Sequence, residues 1–505
     1  MMKYMDRVLN HITMYRLVLY YLAALLGGDF GLALIGRSSH DAAALAFSTV
    51  VITAMCWVVN RALGLAFRVP VNTESVYITA FILALIMPPV LPADLKGVGG
   101  LALASAAAMG SKFLLAIYRK HVFNPVALGV VASYFLLDQS ATWWVGGSVY
   151  LLPIVVVGGV LILRKLQRFE MFGVYILANL GVTLLSTSPD LYGEALSQTF
   201  LSSPLLFAGF AMLTEPMTAP AAHWPSLGFG ALVGALSSPS MHIGEFYFTP
   251  ELALIVGNVF AWAVNPKYRF KLVLERIEKT AAGCYDYVFK PHRPIVFSPG
   301  QYLDWTIHSR RADDRGNRRT FTIASAPSEN HVRLGVKFYP NPSAYKQTLL
   351  NMKPGDVVYG AQLAGDFVLP AAPEEKLAFI AGGIGVTPFR SMIQHMIDVG
   401  DFRIATLFYG NNKANEIAYV DVFNRAEQEL GLRTVYAVAE ANHAQTNFHV
   451  GFIDADLIKR EMPDYTERTY YISGPRSMVV KFEKVLAELG IAKAKIKTDF
   501  FPGFA

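Results

Sequence analysis

Cysteine is almost absent: Cys56 and Cys284 are the only two in 505 residues, too few for a four-thiolate iron–sulfur cluster or a disulfide framework. Any redox group used by such a chain is therefore organic or held by histidine. Charge is scarce as well, at 16% of residues, and it is unevenly spread, with 13 Lys and Arg in residues 1–265 against 31 in the shorter remainder. An apolar fraction of 53% and a mean hydropathy of +0.36 are too high for a soluble protein of this size, so the first half reads as lipid-solvated. The net charge of +6 comes from scattered residues with no basic block, so nucleic acid is not an expected partner. No His/Cys cluster suggests a metal site. The first apolar run follows charged residues and lacks a small-residue cleavage site, which reads as a retained anchor.

Apolar runs of about membrane-crossing length lie near residues 12–28, 42–59, 74–91, 98–117, 122–137, 147–163, 170–187, 196–213, 226–240 and 249–265. The expectation is a polytopic α-helical membrane domain of about ten spans, with both of its ends on one side. Lys3, Arg7, Arg16, Arg61, Arg68, Arg119, Lys120, Arg164, Lys165 and Arg168 fall on the side of the N-terminus, against Arg37 and Lys96 opposite. That bias predicts a cytoplasmic N-terminus and a cytoplasmic second half, hence a multi-pass protein of the cell inner membrane. Phe123-Asn124-Pro125 echoes Phe248-Thr249-Pro250, and Thr73-Glu74 echoes Thr214-Glu215. Two readings of the echo stand side by side: an inverted repeat of five spans, which places sites near the midplane, or shared helix-start chemistry.

From Lys271 the pattern changes to alternating strands over Lys271–Glu278, Tyr285–Lys290, Gln301–Ile307, Arg319–Ala324, Val332–Phe338 and Asp356–Gln362. That spacing predicts a small antiparallel β-barrel. After Pro370, strands at Leu377–Ala381, Ile404–Tyr409 and Tyr470–Ser473 alternate with helices, as in a parallel nucleotide-binding α/β sheet. The expected domains are 1–266, a transmembrane electron-transfer domain; 267–370, a β-barrel; and 371–505, an α/β domain.

Two motifs in the second half point to chemistry. Arg319, Phe321 and Thr322 put a cation, an aromatic ring and a hydroxyl on one strand, and Ala381 to Pro388 form a strand running into a glycine turn at a helix start. With Tyr471-Ile472-Ser473-Gly474-Pro475 these residues resemble the ferredoxin-NADP reductase family, which carries FAD and takes hydride from NADH or NADPH. The resemblance implies that Arg319 holds the FAD diphosphate, that Phe321 lies against the flavin or its ribityl chain, that Thr322 hydrogen-bonds the hydride-accepting nitrogen, and that Thr320 is among the cofactor contacts. It also implies cofactor contacts for Lys337, Ser343, Gly382, Gly383, Gly385, Thr387, Gly474, Pro475 and the aromatic Phe501 near the terminus. Thr322, Thr387 and Ser473 are the catalytic candidates, Ser473 standing where the family usually has cysteine beside the nicotinamide. Asn411-Asn412-Lys413 combine neutral and basic character, compatible with either coenzyme.

The membrane half resembles the B subunit of the sodium-pumping NADH:quinone oxidoreductase and the D subunit of the Rnf complex. The matching pieces are Phe123-Asn124-Pro125-Val126-Ala127-Leu128-Gly129 and Met212-Leu213-Thr214-Glu215-Pro216-Met217-Thr218-Ala219-Pro220. That family carries a covalent FMN on a threonine, but here the corresponding stretch is Ser203-Pro204-Leu205-Leu206, and Leu206 has no hydroxyl to esterify. The resemblance then implies a noncovalent FMN or riboflavin, with Asn124, Thr214, Glu215 and Thr218 as lining candidates, and a quinone or an extracytoplasmic flavoprotein as acceptor. Haem would need histidine pairs within spans, whereas His11, His40, His121, His223 and His242 fall in loops or at span ends. A channel or transporter with an appended regulatory flavin reductase is the competing class, because fold likeness does not settle function.

Overall fold

The computed structural model describes residues 9, 12–67, 73–117, 120–220, 222–264, 269–308, 317–440 and 448–501, and the chain divides into two compact units, Met1–Lys267 and Tyr268–Ala505. The expected cytoplasmic charges Lys3, Arg7, Arg68 and Arg119 lie outside the described residues, as do residues 502–505 of the aromatic terminus.

Unit 1 is helical: α1 Met14–Leu34, α2 Ala42–Ala66, α3 Thr73–Ile86, α4 Leu95–Leu114, α5 Pro125–Leu137, α6 Leu152–Leu166, α7 Phe169–Leu185, α8 Tyr192–Leu201, α9 Leu205–Leu213, α10 His223–Leu236 and α11 Pro250–Val264. Each predicted apolar run thus carries helix. Among the described residues, however, three helices (α1, α2 and α4) are long and apolar enough to cross a bilayer, or four if the pair Pro189–Leu201 and Leu205–Leu213, bent by 48°, counts as one span. The other apolar helices are shorter for identifiable reasons. α3 stops before Pro88-Pro89, while α5 starts abruptly because the Asn124 side chain caps it, accepting from Ala127 N at 3.1 Å ahead of Pro125. A helix of 14 residues spans only about 21 Å, so its buried end needs other partners. At the end of α3 these come from a distant loop: Thr142 N and Trp143 N donate to Ile86 O, and the Trp144 indole donates to Ala84 O and Met87 O at 3.1 Å each.

Unit 2 opens with six strands: β1 Phe270–Ala281, β2 Cys284–Pro291, β3 Tyr302–Ile307, β4 Arg318–Thr322, β5 Val332–Lys337 and, after helix α12 Ala344–Leu350, β6 Val357–Ala364. They form one antiparallel sheet in the order β4-β3-β6-β1-β2-β5. The predicted barrel is therefore a half-barrel: β4 and β5 are edges that do not pair with each other. Trp305, Phe289, Tyr287, Leu272 and Leu303 fill its core.

The rest of unit 2 alternates strand and helix: β7 Leu377–Gly382, α13 Thr387–Val399, β8 Ala405–Asn411, α14 Val420–Leu430, β9 Arg433–Val438, β10 His449–Val450, α15 Ala455–Glu461, β11 Thr469–Pro475, α16 Arg476–Glu488 and β12 Ile496–Phe501. All six strands are parallel, in the order β10-β9-β8-β7-β11-β12. Every residue of central β7 is buried, as expected for a strand covered on both faces, and its Phe379 packs against Phe389 and Tyr471.

Candidate functional site

Strand β4 pairs with β3 along one side only, setting Thr322 opposite Tyr302, Phe321 opposite Leu303 and Arg319 opposite Trp305. Alternation sorts its side chains. On one face Arg318 and Thr320 both engage Asp304, the first through an ion pair and the second through a 2.5 Å hydrogen bond from its hydroxyl. On the other face the Arg319 guanidinium sits 5.1 Å from the Tyr345 ring centre, and Phe321 lies 5.9 Å from the same ring. Arg319 is also oriented by a 2.7 Å bond to Arg318 O, and Thr322 is buried. Arg319 and Phe321 thus share a surface, while Thr320 is committed to Asp304.

The glycine turn follows β7. Thr387 begins α13 with Pro388 next to it, is 4% exposed, and donates its hydroxyl to Ile384 O at 3.2 Å. Gly385 is dictated by a close approach: a Cβ there would lie 2.5 Å from Gly474 Cα and 2.7 Å from Ser473 O. The two turns that are 90 residues apart in sequence are therefore in backbone contact, with Gly382, Gly383, Gly474 and Pro475 around them. Ser473, paired with Ala381 of β7, is wholly buried and its hydroxyl finds no hydrogen-bond partner among the described residues. Unused polar groups at the carboxyl ends of parallel strands mark the place where nucleotides bind in such sheets.

The two motifs meet. Immediately after β4, Ala324 O accepts from Arg390 of α13 at 3.1 Å, and Ser325 O accepts from the Ser391 hydroxyl at 2.7 Å. Lys337, predicted to touch cofactor, pairs with Glu416 at 2.9 Å, joining β5 to the segment after β8. Ser343 acts as the N-cap of α12, its hydroxyl accepting from Lys346 N at 3.4 Å. Phe501 ends β12, and nothing is described of its side chain. Sequence reasoning passed over Asp499. It stands opposite Ser473 in the β11–β12 register, and burial pushes its carboxyl up to about 6. A single acid directly before the paired phenylalanines of the last strand was the signal.

In unit 1, three of the four candidates gather. Asn124 Nδ2 donates to Glu215 Oε2 at 2.9 Å, the Thr218 hydroxyl donates to the same oxygen at 3.0 Å, and His121 Nε2 lies 3.5 Å from Glu215 Oε1. Thr214 instead returns its hydroxyl to Phe210 O at 2.7 Å within its own helix. Asn258 of α11 completes the group, accepting from Asn124 N at 2.7 Å and donating to Thr218 O at 3.4 Å. Lys112, absent from the charge count above, is inside: its ammonium donates to Ser75 O at 3.2 Å, Ser75 Oγ at 3.0 Å and Thr79 Oγ1 at 2.8 Å. Glu74 does not join them and pairs with Arg16 at 3.1 Å. No group of three or more metal-ligating side chains occurs among the described residues.

Comparison with known proteins places part of this chain. The family model for the oxidoreductase NAD-binding domain matches residues 379–484. The flavohemoprotein of Bacillus subtilis (strain 168) is 26% identical over 237 residues, covering 45% of this chain and 58% of that protein. The flavohemoprotein of Xylella fastidiosa (strain Temecula1) is 27% identical over 215 residues, covering 41% and 52%. The chain thus spans about half the length of the curated relatives it matches. Among solved structures, the flavohem-like FAD/NAD-binding domain of nitric oxide dioxygenase from Vibrio cholerae O1 biovar El Tor aligns with 46% of this chain and 98% of that one, at 22% identity and a TM-score of 0.41.

Proposed function

We propose, from the premise that the second half of this chain is an NAD(P)H- and FAD-binding oxidoreductase module of the ferredoxin-NADP reductase type, that the whole protein is a membrane-bound electron-transfer enzyme. It oxidises NADH or NADPH at the cytoplasmic face of the inner membrane. The electrons leave through a noncovalent FMN or riboflavin in a helical domain of about ten spans to a quinone or an extracytoplasmic flavoprotein. The observation that carries this reading is the convergence of β4, the Gly382–Pro388 turn and the Ser473–Pro475 turn at one seam, held by the bonds from Arg390 and Ser391.

The residues fit the cofactors. FAD, when bound, supplies the acceptor for a hydride from the nicotinamide and the means of passing electrons on singly. Arg319 offers a preoriented guanidinium for a diphosphate. Phe321 and Tyr345 provide aromatic surface beside it, and Thr322 supplies a hydroxyl on the same strand. The close approach of Gly385 to Gly474 sets both turns beside the helical run that begins at Gly383 and continues into α13, and a helix N-terminus favours anionic phosphate. Ser473 brings an uncommitted hydroxyl to the nicotinamide end, and Asp499 holds a proton close by below about pH 6.

For unit 1, the support is a set of ionisable and amide groups buried among apolar helices. Such residues within a membrane mark function by default, and helices that stop partway with capped ends are the usual framework for a midplane site. Electrons do not cross roughly 30 Å of hydrocarbon in one step without a carrier, which is why a flavin is assigned to this half. Proteoliposomes given NAD(P)H on the reductase side should reduce a bilayer quinone or an impermeant acceptor inside. A chain lacking residues 1–267 should oxidise NAD(P)H with soluble dyes but lose that transfer. Equal behaviour of the two with every acceptor, and no flavin in the membrane half, would instead favour the channel or transporter reading.

A further inference from the structure

The space above Gly335 is shared by three side chains from three elements. Gly335 lies on β5 directly opposite Asp286 of β2. A Cβ on Gly335 would stand 2.5 Å from Tyr419 Oη, 2.6 Å from Thr387 Cγ2 and 3.2 Å from Asp286 Oδ1. Tyr419, from the start of α14 in the nucleotide-binding part, donates its hydroxyl to Asp286 Oδ1 at 2.5 Å. The other carboxylate oxygen lies 3.4 Å from Arg333 Nη1, and Asp286 is wholly buried. Arg333 is itself shared with Glu278 and Glu329, and Glu329 also binds Arg390. The carboxyl and the phenol therefore face one cation directly, with the neighbouring charges already paired.

Two features mark the contact as more than packing. Tyr419 adopts a left-handed backbone, with φ of 61° and ψ of 29°. For a bulky non-glycine residue that conformation is strained and persists only where surrounding contacts impose it. Burial also raises both the Asp286 carboxyl and the Tyr419 hydroxyl above their ordinary values, so the proton is held within the pair. The bond reaches from the sheet that carries the β4 motif to the part that carries the glycine turns, and the methyl of Thr387 borders the same space above Gly335.

We propose that Asp286 and Tyr419 are positioning residues for hydride transfer: their hydrogen bond fixes the height of Thr387 and the glycine turn above β5, and with it the approach of the nicotinamide to the flavin. A misplacement of about 1 Å between reacting groups costs on the order of a hundredfold in rate, so a contact this close to Thr387 is well placed to matter. The inference rests on the reading of Thr387 as a neighbour of the nicotinamide.

The test uses the full FAD-loaded chain. Tyr419→Phe keeps the ring and removes the donor, Asp286→Leu removes the acceptor, and Asp286→Asn keeps an acceptor. Stopped-flow flavin reduction should slow at least about tenfold in Tyr419→Phe and Asp286→Leu. The deuterium isotope effect from labelled coenzyme should rise, and the coenzyme dissociation constant should stay within about twofold. Asp286→Asn should recover most of the loss, and Tyr419→Phe combined with Asp286→Leu should be no slower than either alone. Without coenzyme, amide exchange over residues 335–337 and 384–388 should quicken in Tyr419→Phe. That measurement reports the contact whether or not either coenzyme is oxidised, so its failure is separable from failure of the functional reading. Unchanged exchange and isotope effect in Tyr419→Phe, additive losses in the double variant, or an Asp286→Asn chain as slow as Asp286→Leu would overturn the proposal; if Asp286→Leu does not fold, Tyr419→Phe decides alone.

Discussion

Asp499 and Ser473 are register partners across the parallel β11–β12 ladder, so a half-buried carboxyl stands beside the buried hydroxyl proposed above to face the nicotinamide. Desolvation raises the Asp499 carboxyl from 3.8 to about 6. The folded state then binds more protons than the unfolded one between those values, so this residue's contribution to stability falls as pH rises from about 4 to about 6 and is level above that. Asp499→Asn should remove that slope from the thermal midpoint measured against pH. If Asp499 also holds the proton used near Ser473, the wild-type rate of NAD(P)H oxidation should carry a limb that falls as pH rises through about 6, which the variant lacks. A limb that persists in Asp499→Asn would assign it to another group.

The Arg319 guanidinium is set over the Tyr345 ring, with its direction fixed by the Arg318 carbonyl. Its loss should weaken FAD binding through a missing charge-assisted contact worth roughly 1.5 to 3 kcal/mol, about ten- to a hundredfold in affinity. Arg319→Ala purified without added FAD should therefore release little FAD on acid extraction, while Arg318→Ala, whose cation serves Asp304, should keep its FAD. Full occupancy in Arg319→Ala would remove that residue from the site.

The second half was legible because its signals are local. Alternation in β1 to β6, the unbroken apolar run of β7 and the glycine spacing each depend on a few neighbouring residues. What escaped was set by partners far away in sequence. Lys337 finds Glu416, Thr320 finds Asp304, and Tyr419 finds Asp286, pairings that no spacing rule reveals. In the first half, apolar composition located each helix but not its length. Whether a run crosses or stops partway depends on breaks such as Pro88-Pro89 and on caps such as Asn124, whose side chain ties α5 to Glu215. Lys112 was invisible for a related reason: one cation in a long apolar run reads as noise until Ser75 and Thr79 are seen around it.

Gly385 should tolerate no side chain. A methyl group there would drive into Gly474 Cα and Ser473 O, both backbone atoms that cannot rotate away. Gly385→Ala should therefore retain FAD, judged by its absorption spectrum, yet lose at least about tenfold in coenzyme affinity as the two turns separate. Ser473→Cys should keep or raise the reduction rate, because the buried hydroxyl has no partner to lose. Tight coenzyme binding by Gly385→Ala, or abolished NAD(P)H oxidation in Ser473→Cys, would show that these turns do not hold the nicotinamide.

The helical half makes the remaining prediction. Ser203, in the stretch that corresponds to a flavin attachment motif, is occupied in local structure: its hydroxyl donates to Thr199 O at 2.5 Å and accepts from Leu205 N at 3.2 Å, closing the break between α8 and α9. Leu206 has no nucleophilic oxygen. Flavin in this half should therefore leave on denaturation, so the full chain on a denaturing gel should show no flavin fluorescence, and a fluorescent peptide containing Thr199, Ser202 or Ser203 would show that attachment has merely moved. Glu215 is the acceptor on which Asn124 and Thr218 converge, and Glu215→Ala strands both buried donors at a cost of about 1–3 kcal/mol each. Flavin released by acid from the wild-type chain should exceed the FAD held by the module. In Glu215→Ala that excess should vanish while NAD(P)H oxidation with a soluble dye continues. An excess that survives would place the membrane flavin elsewhere than at Asn124, Glu215 and Thr218, and no excess in the wild type would remove it from the helical half.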